Sequence, residues 1–377
     1  MRVPNSQTQE AVRRTAREFA TEEFEPIYRK WNRRGTFPYE TLEDMAEAGL
    51  RGIMVPEEYG GVGMGLLNQA IAIEEVSKVW PSAGIKMDEG LLRYLRKFGS
   101  REQKDRYLPD LCAGELVDAI ALSEPDGGSD FAGIKTTADR TDGGYVLNGT
   151  KTWVTNGAAA DIIGIAAKTE QGESHRGISL FLVAPETMDG CEVGPPIEMM
   201  GFDASKCTEI RLENCFVPEE NLLGEENEGF YHTMEMLAEN RVAVAARALG
   251  IAAGALDHAT SYATDRTQFD QPIAEFQAIR HKVADMAVQV ENARNLVYNA
   301  AQLCDEGERF ETKASMAKLY AAEAAHDVAS EAIQIHGANG YTKDYPVQMY
   351  FRDAKGIEIY EGTSEIQRNI IAKDYLE

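Results

Sequence analysis

The chain has 377 residues, 44% of them hydrophobic, more than one core usually organises, so two or three domains or layers are expected. Its 62 acidic and 38 basic residues leave a formal charge of −24, which argues against wrapping nucleic acid or binding anionic lipid. The five cysteines are odd in number and form no C-x-x-C pair, so a reducing, cytoplasmic compartment is expected rather than a disulfide framework or zinc site.

In chain order, residues 1–21 are charged and lack the apolar core of a secretory signal. Residues 1–118 read as a helical domain. Apolar residues at helical spacing predict a helix over 41–50 with Gly49 as its stop, a loop over 56–63, and helices again over 66–79 and 90–98. Residues 119–228 read as a small antiparallel sheet domain, a barrel or sandwich. Short β-branched runs at 145–148, 151–155, 162–165, 178–183 and 209–212 alternate there with turn signals, Asp142-Gly143 and Asn156-Gly157 resembling hairpin turns. Residues 229–377 read as a bundle of alanine-rich helices over 229–266, 272–304, 312–335 and 345–354, with Gly307 and Gly337 at the breaks. The longest apolar stretch, 242–256, is interrupted by Arg247 and reads as a buried helix, not a membrane span. The sheet must pack between two helical layers, whose clefts are natural cofactor sites.

Five segments carry side chains suited to a binding or catalytic site, although each alone has an ordinary structural meaning. From Ala121 to Asp130, a glycine pair beside Ser123 and Ser129 exposes backbone N–H groups that suit pyrophosphate oxygens. Its acidic residues argue against a plain phosphate nest, and Thr137 stands where a calcium loop needs a bidentate glutamate. From Lys151 to Gly157, strand alternation puts Trp153 and Thr155 on one face, an indole and a hydroxyl for a planar heterocycle; a core tryptophan is the alternative. Tyr262 to Ile273 links two long helices, with Arg266 suited to a diphosphate and Phe269 to an aromatic ring. Gln334 to Tyr341 ends a helix in a glycine-containing loop, where His336 reads as a satisfied helix-end residue. Ile357 to Arg368 places Glu361 before Gly362 and Thr363, with Ser364 and Gln367 read as a capping box opening a terminal helix. A carboxylate fixed between rigid elements in a partly dry pocket suits a general base; a solvated helix-start glutamate is the plainer alternative. No Gly-x-Gly-x-x-Gly after a strand, Walker loop or histidine-rich cluster stands out, and no metal is expected.

Together, and in this order, Leu122-Ser123-Glu124-Pro125 with Gly128-Ser129-Asp130, Lys151 to Gly157, Arg266 with Phe269, Gln334 to Gly340, and Tyr360-Glu361-Gly362-Thr363 resemble the acyl-CoA dehydrogenase family over essentially the whole chain. The resemblance implies a mainly α fold with a middle β domain: an N-terminal helical domain, a barrel-like sheet domain and a C-terminal four-helix bundle. It implies FAD at a subunit interface of a homotetramer, a dimer of dimers, with electrons passing to electron-transferring flavoprotein. By the same resemblance Leu122 and Ser123 bond the flavin edge, Ser129 sits near the pyrophosphates and the substrate, Trp153 packs on the flavin and Thr155 reaches its N5. Arg266, Gln268, Phe269, Gln334, Gly337 and Ala338 serve the neighbouring subunit's FAD. Thr363 and Glu365 contact FAD after the base, and Arg241 and Gly362 hold substrate positions.

The implied chemistry has Glu361 removing the α-proton of an acyl-CoA thioester while the β-hydrogen leaves as hydride to the flavin. Some of the family carry the base on the helix before the substrate arginine, where this chain has Asn240, which cannot act as one. Glu239 lies one residue earlier, about 100° around the helix, and is expected to point elsewhere. An oxygen-using acyl-CoA oxidase and a non-catalytic flavoprotein on the same fold are the rival readings. Two departures stand out: Asp270 replaces a frequent glycine and Asp203 a frequent arginine, the first implying an altered cross-subunit loop. The helix expected to line the acyl pocket, 86–93, is unusually charged, and some of these charges are expected to face solvent. If Lys86 or Arg93 points inward, the acyl group is polar or carries a carboxylate, because a buried cation needs a partner.

Overall fold

The computed structural model describes residues 6–170 and 175–377, so the first five residues of the leading segment read for a signal core lie outside the described residues. Seven α-helices open the chain: α1 Gln7–Phe19, α2 Tyr28–Arg34, α3 Thr41–Glu47, α4 Leu66–Val79, α5 Pro81–Ile85, α6 Gly90–Phe98 and α7 Arg101–Ala113. Local chemistry sets several of their ends. Ser6 and Ser100 each close a capping box with a glutamine three residues on, and Gly35 and Gly114 end α2 and α7 in the left-handed conformation.

The sheet has eight strands: β1 Asp118–Ala121, β2 Thr137–Thr141, β3 Gly144–Thr155, β4 Ile162–Lys168, β5 Ile178–Val183, β6 Cys191–Val193, β7 Cys207–Pro218 and β8 Leu222–Leu223. Their order is β6-β7-β3-β2-β4-β5-β8, with β1 added against β4. The expectation of a purely antiparallel sheet is corrected. β1 runs parallel to β4, Ala119 opposite Ile163, and β2 meets β4 in parallel at Thr137 and Lys168. The chain makes a long excursion between β1 and β4 and re-enters in the same sense, which a tight turn cannot produce. Asp142-Gly143 does close a hairpin, with Thr141 opposite Gly144. Asn156-Gly157 does not: Asn156 is left-handed and opens a 3₁₀ turn that leads away from β3.

Five further helices complete the chain: α8 Gly229–Asp265, α9 Gln277–Asp305, α10 Glu311–His336, α11 Val347–Ile357 and α12 Ser364–Leu376. The second long helix of the bundle therefore starts at Gln277, not Pro272. Pro272 lacks the N–H a helix interior needs and instead pairs in a short strand, Gln271–Pro272, against Thr267–Gln268. Phe269 and Asp270 both take positive φ in the turn between them, the geometry of a two-residue hairpin loop.

α8 is the centre of the helical core. Its apolar run from Val242 to Ala255 is buried against α4, α9 and α10, as expected of a core helix. A Cβ on Gly250 would stand 2.6 Å from the carbonyl oxygen of Glu74 in α4, so only glycine permits that approach. Polar bonds cross the same layer. Glu74 accepts from Arg294 at 2.8 Å and from the Tyr298 hydroxyl, while Glu75 accepts from Arg13 and, at 3.0 Å, from Arg17.

Candidate active site

Glu361 lies in the short connection between α11 and α12, half-buried, at φ 54°. Two clamps fix this strained residue. Gly362, at φ 87°, offers its carbonyl to Lys318 Nζ at 2.6 Å and to Gln367 Nε2 at 2.9 Å. Thr363 is the N-cap of α12, its hydroxyl accepting from the Ile366 N–H at 3.3 Å. This corrects the expected capping box by one residue. Ser364 is the first helical residue, and Gln367 reaches back to the carbonyls of Glu361 and Gly362 instead of capping. Glu365 is exposed on the first turn.

Around the Glu361 carboxyl stand α8 and the turn between α5 and α6. Burial pushes its pKa up, and the neighbouring Asp88 adds to this. The neighbouring Asn240 side chain and the charges of Arg241 and Arg247 oppose the rise. The backbone N–H of Glu361 finds no acceptor among the described residues. Asn240 Oδ1 and Arg241 Nε are likewise buried without partners. Arg247, wholly buried, pairs with Asp88 and donates to the Tyr360 hydroxyl at 2.6 Å. Glu239 points elsewhere, as helix phase requires: one of its oxygens accepts from Arg93 at 3.1 Å and from Arg96 at 2.6 Å.

The expectation that some charges of segment 86–93 face solvent is corrected for its cations: Lys86 is 5% exposed and Arg93 1%. Helix α6 packs against β1, β8 and α8. The sequence reading did not assign Lys318, Asp88 or Arg247 to the site. Arg247 carried a signal, since a cation inside an apolar helix must find an acid in the fold.

The sheet-domain residues form a second group. Leu122 and Ser123 follow β1 half-buried, and the Ser123 carbonyl accepts from the Thr152 N–H at 2.9 Å. Buried Glu124 anchors the loop, paired with Lys151 at 2.8 Å and accepting from both Lys135 N and Thr136 N. Ser129 stays exposed. A register shift between Lys151 and Val154 in the β3–β7 pairing puts Trp153 at φ 59°, so plain alternation does not hold there. Trp153 is nonetheless 56% exposed, Val154 buried and Thr155 half-buried, its hydroxyl 3.5 Å from Cys207 Sγ.

The third group is at the far end of the bundle. Arg266, Gln268 and Phe269 on the α8–α9 hairpin are exposed, Phe269 87% so, and Gln334, Gly337 and Ala338 at the end of α10 are exposed too. Tyr262 joins the two segments, stacking on His336 at 4.2 Å and accepting from Asn339 at 2.8 Å. His336 also bonds the Ala332 carbonyl and is structural, as read. No hydrogen bond, ion pair or ring contact connects this group to Glu361 among the described residues. The fold thus separates the candidate site residues into a cluster around Glu361, a sheet-domain cluster and an outward-facing cluster. An exposed indole, an open glycine loop and a solvent-facing arginine with an uncovered phenylalanine fit a large planar cofactor bearing a diphosphate.

Family models cover nearly the whole chain: acyl-CoA dehydrogenase N-terminal domain at 6–115, middle domain at 119–215 and C-terminal domain at 227–376. The chain is 43% identical to an acyl-CoA dehydrogenase of Bacillus subtilis, over 98% of both proteins. It is 42% identical to an NADH-linked acryloyl-CoA reductase of Anaerotignum propionicum, over 98% of this chain and 94% of that protein. Among solved structures, a chain from work on the electron transferring flavoprotein of Acidaminococcus fermentans superposes with TM-score 0.97 at 39% identity, covering 100% of both chains.

Proposed function

The chain belongs to the acyl-CoA dehydrogenase family of FAD-dependent oxidoreductases, and from that premise we propose that Glu361 is the base that removes the α-proton of its acyl-CoA substrate to give the 2-enoyl-CoA. One observation carries this reading: Glu361 is a carboxyl that burial pushes toward its protonated form, with Asn240, Arg241 and Arg247 as neighbours and its own N–H free to donate. An α-proton of a thioester is too weakly acidic for an ordinary carboxylate. The free Glu361 N–H stabilises the charge that develops on the thioester oxygen, which lowers the acidity gap from the substrate side. Burial raises the glutamate's proton affinity, which closes it from the enzyme side. Lys318 and Gln367 hold the Gly362 carbonyl and so keep the Glu361 backbone in its left-handed conformation.

Leu122, Ser123, Ser129, Trp153 and Thr155 would hold FAD in one subunit, with Thr363 and Glu365 near the base. Arg266, Gln268, Phe269, Gln334, Gly337 and Ala338 would reach the cofactor of a neighbour in a homotetramer. When bound, FAD accepts the β-hydrogen as hydride, and electrons would then pass to electron-transferring flavoprotein. Arg241 and the backbone at Gly362 and Ser129 would contact the acyl-CoA. The similarity to an acryloyl-CoA reductase supports a second direction, since the same base can return a proton to Cα when the electron carrier is strongly reducing. Anaerobic mixing with acyl-CoAs should bleach the flavin absorbance, and loss of bleaching in Glu361→Gln confirms the base. A folded, FAD-loaded protein that no acyl-CoA bleaches and no enoyl-CoA reoxidises would refute the reading; rapid reoxidation by air would favour an oxidase.

A further inference from the structure

The buried cations beyond Glu361 differ in how their charge is met. Arg93 has Glu239, Arg247 has Asp88, and Arg51 lies 3.9 Å from Asp118. Lys86 is equally buried, yet among the described residues it forms no ion pair. Its Nζ donates to Asn156 Oδ1, lies 3.3 Å from Ser205 Oγ, and sits 4.9 and 5.0 Å from the ring centroids of Phe37 and Tyr39. The nearby acids, Asp88 and Asp118, are already taken by arginines. Desolvating an ammonium costs several kcal/mol, and contact with aromatic faces returns only about 2. As an ammonium, Lys86 has no carboxylate partner of its own among the described residues.

Lys86 is also tied to the base by two short routes. Ser205 donates its N–H to the Phe202 carbonyl at 2.8 Å, and the Phe202 ring packs on Tyr360, beside Glu361, with centroids 5.8 Å apart. Asp88, two residues after Lys86, holds Arg247, which bonds the Tyr360 hydroxyl. Asn156, which receives the Lys86 hydrogen bond, follows Thr155 directly in the chain.

We infer that Lys86 is a specificity-determining residue for an anionic acyl end: the substrate is the CoA monothioester of a dicarboxylic acid, whose free carboxylate accepts a hydrogen bond from Lys86 Nζ while its α-carbon faces Glu361. The inference rests on the acyl-CoA reaction proposed above and adds no bond-making step to it. The ligand carboxylate supplies the missing counter-charge and is itself shielded from water. Burial holds the empty lysine's pKa down to about 7, helped by Arg51 and opposed by Cys207, Asp118 and Asp88, with Tyr39 packed against it. A bound carboxylate raises that value, so binding of the diacid takes up a proton above neutral pH.

Calorimetry on the FAD-loaded protein tests this with thioether analogues of acyl-CoA, which cannot lose an α-proton. Matched dicarboxylyl and monocarboxylyl analogues of equal chain length are compared. The dicarboxylyl member should bind at least ~10-fold tighter, the scale of a charge-assisted hydrogen bond, with proton uptake at pH 8. Lys86→Met should bring the ratio to about one and abolish the uptake, and Lys86→Gln, which keeps a donor for Ser205, should do the same should Lys86→Met not fold. A wild-type preference for the monocarboxylyl analogue, or a ratio that survives either substitution, overturns the inference. Flavin bleaching by monocarboxylyl thioesters alone would refute only this inference, whereas bleaching by neither class would refute the proposed function.

Discussion

Replacing Glu361 and Glu239 separately by glutamine should produce opposite phenotypes, although both carboxylates flank Asn240 and Arg241 in space or sequence. Glu361→Gln removes the carboxylate proposed as the proton acceptor but keeps the size of the side chain. A positioned general base contributes ~10²–10⁴-fold, so flavin reduction by acyl-CoA should slow by at least about 100-fold. Stability should hold or rise, because burial already disfavours the charge being removed. Glu239→Gln touches no proton transfer. It leaves Arg93, 1% exposed, and Arg96 without their shared carboxylate. Breaking a buried pair from one side costs up to ~3–5 kcal/mol, and at about 2–4 °C per kcal/mol for a large domain the melting temperature should fall by several degrees or more. Stopped-flow reduction and calorimetric melting of both variants provide the readouts. Near-normal reduction in Glu361→Gln with collapse in a folded Glu239→Gln would mean that the base is on α8 and that the geometric argument is wrong.

Other outcomes follow from the same contacts. Asp88 disfavours the ionised form of Glu361, so Asp88→Asn should move the acid limb of the pH–rate profile to lower pH; a shift upward would contradict the charge assignment. Lys151→Met strips buried Glu124 of its partner and should cost ~3–5 kcal/mol while loosening the Ser123–Ser129 loop, read as a lower flavin-to-protein absorbance ratio after gel filtration. Asp353 is buried, accepts from the Phe202 N–H, and has its pKa pushed up to about 7. The folded state therefore holds a proton that the unfolded chain releases near pH 4, so wild-type stability should decline as pH rises from about 4 to 7 relative to Asp353→Asn. Parallel melting curves of the two proteins across that range would remove this account.

The order helix, sheet, helix was legible because hydrophobic period changes from 3.6 to 2 and back, and period is a local property of the backbone. The buried character of α8 was legible from its alanine-rich run, and the direction of Glu239 from one residue of helix phase. Glu361 by itself read as an ordinary helix-start glutamate, and stood out only because Tyr360-Glu361-Gly362-Thr363 closes an ordered set of motifs along the chain. Other features depend on partners distant in sequence, which no local pattern records. Residues 118 and 162 became parallel neighbours through a long excursion, and a bulge rather than simple alternation presents Trp153. Thr363 caps α12 in place of Ser364 because Gln367 is drawn back to two carbonyls by the strained turn before it.

By itself the sequence determined the types of the elements, the family, and the residue kinds at each site, since these follow from periodicity and from motifs contiguous in the chain. Tertiary structure alone decided which charges are buried and which of them are met. Lys86, Arg93, Arg247 and Lys318 look alike as letters. Only the packing of the turn after α5 against the β3 end and α8 gave Arg93 and Arg247 carboxylates, gave Lys318 a backbone carbonyl beside Glu361, and left Lys86 among neutral groups. The cost of a buried charge is set by what surrounds it in three dimensions, which no local pattern in the chain records.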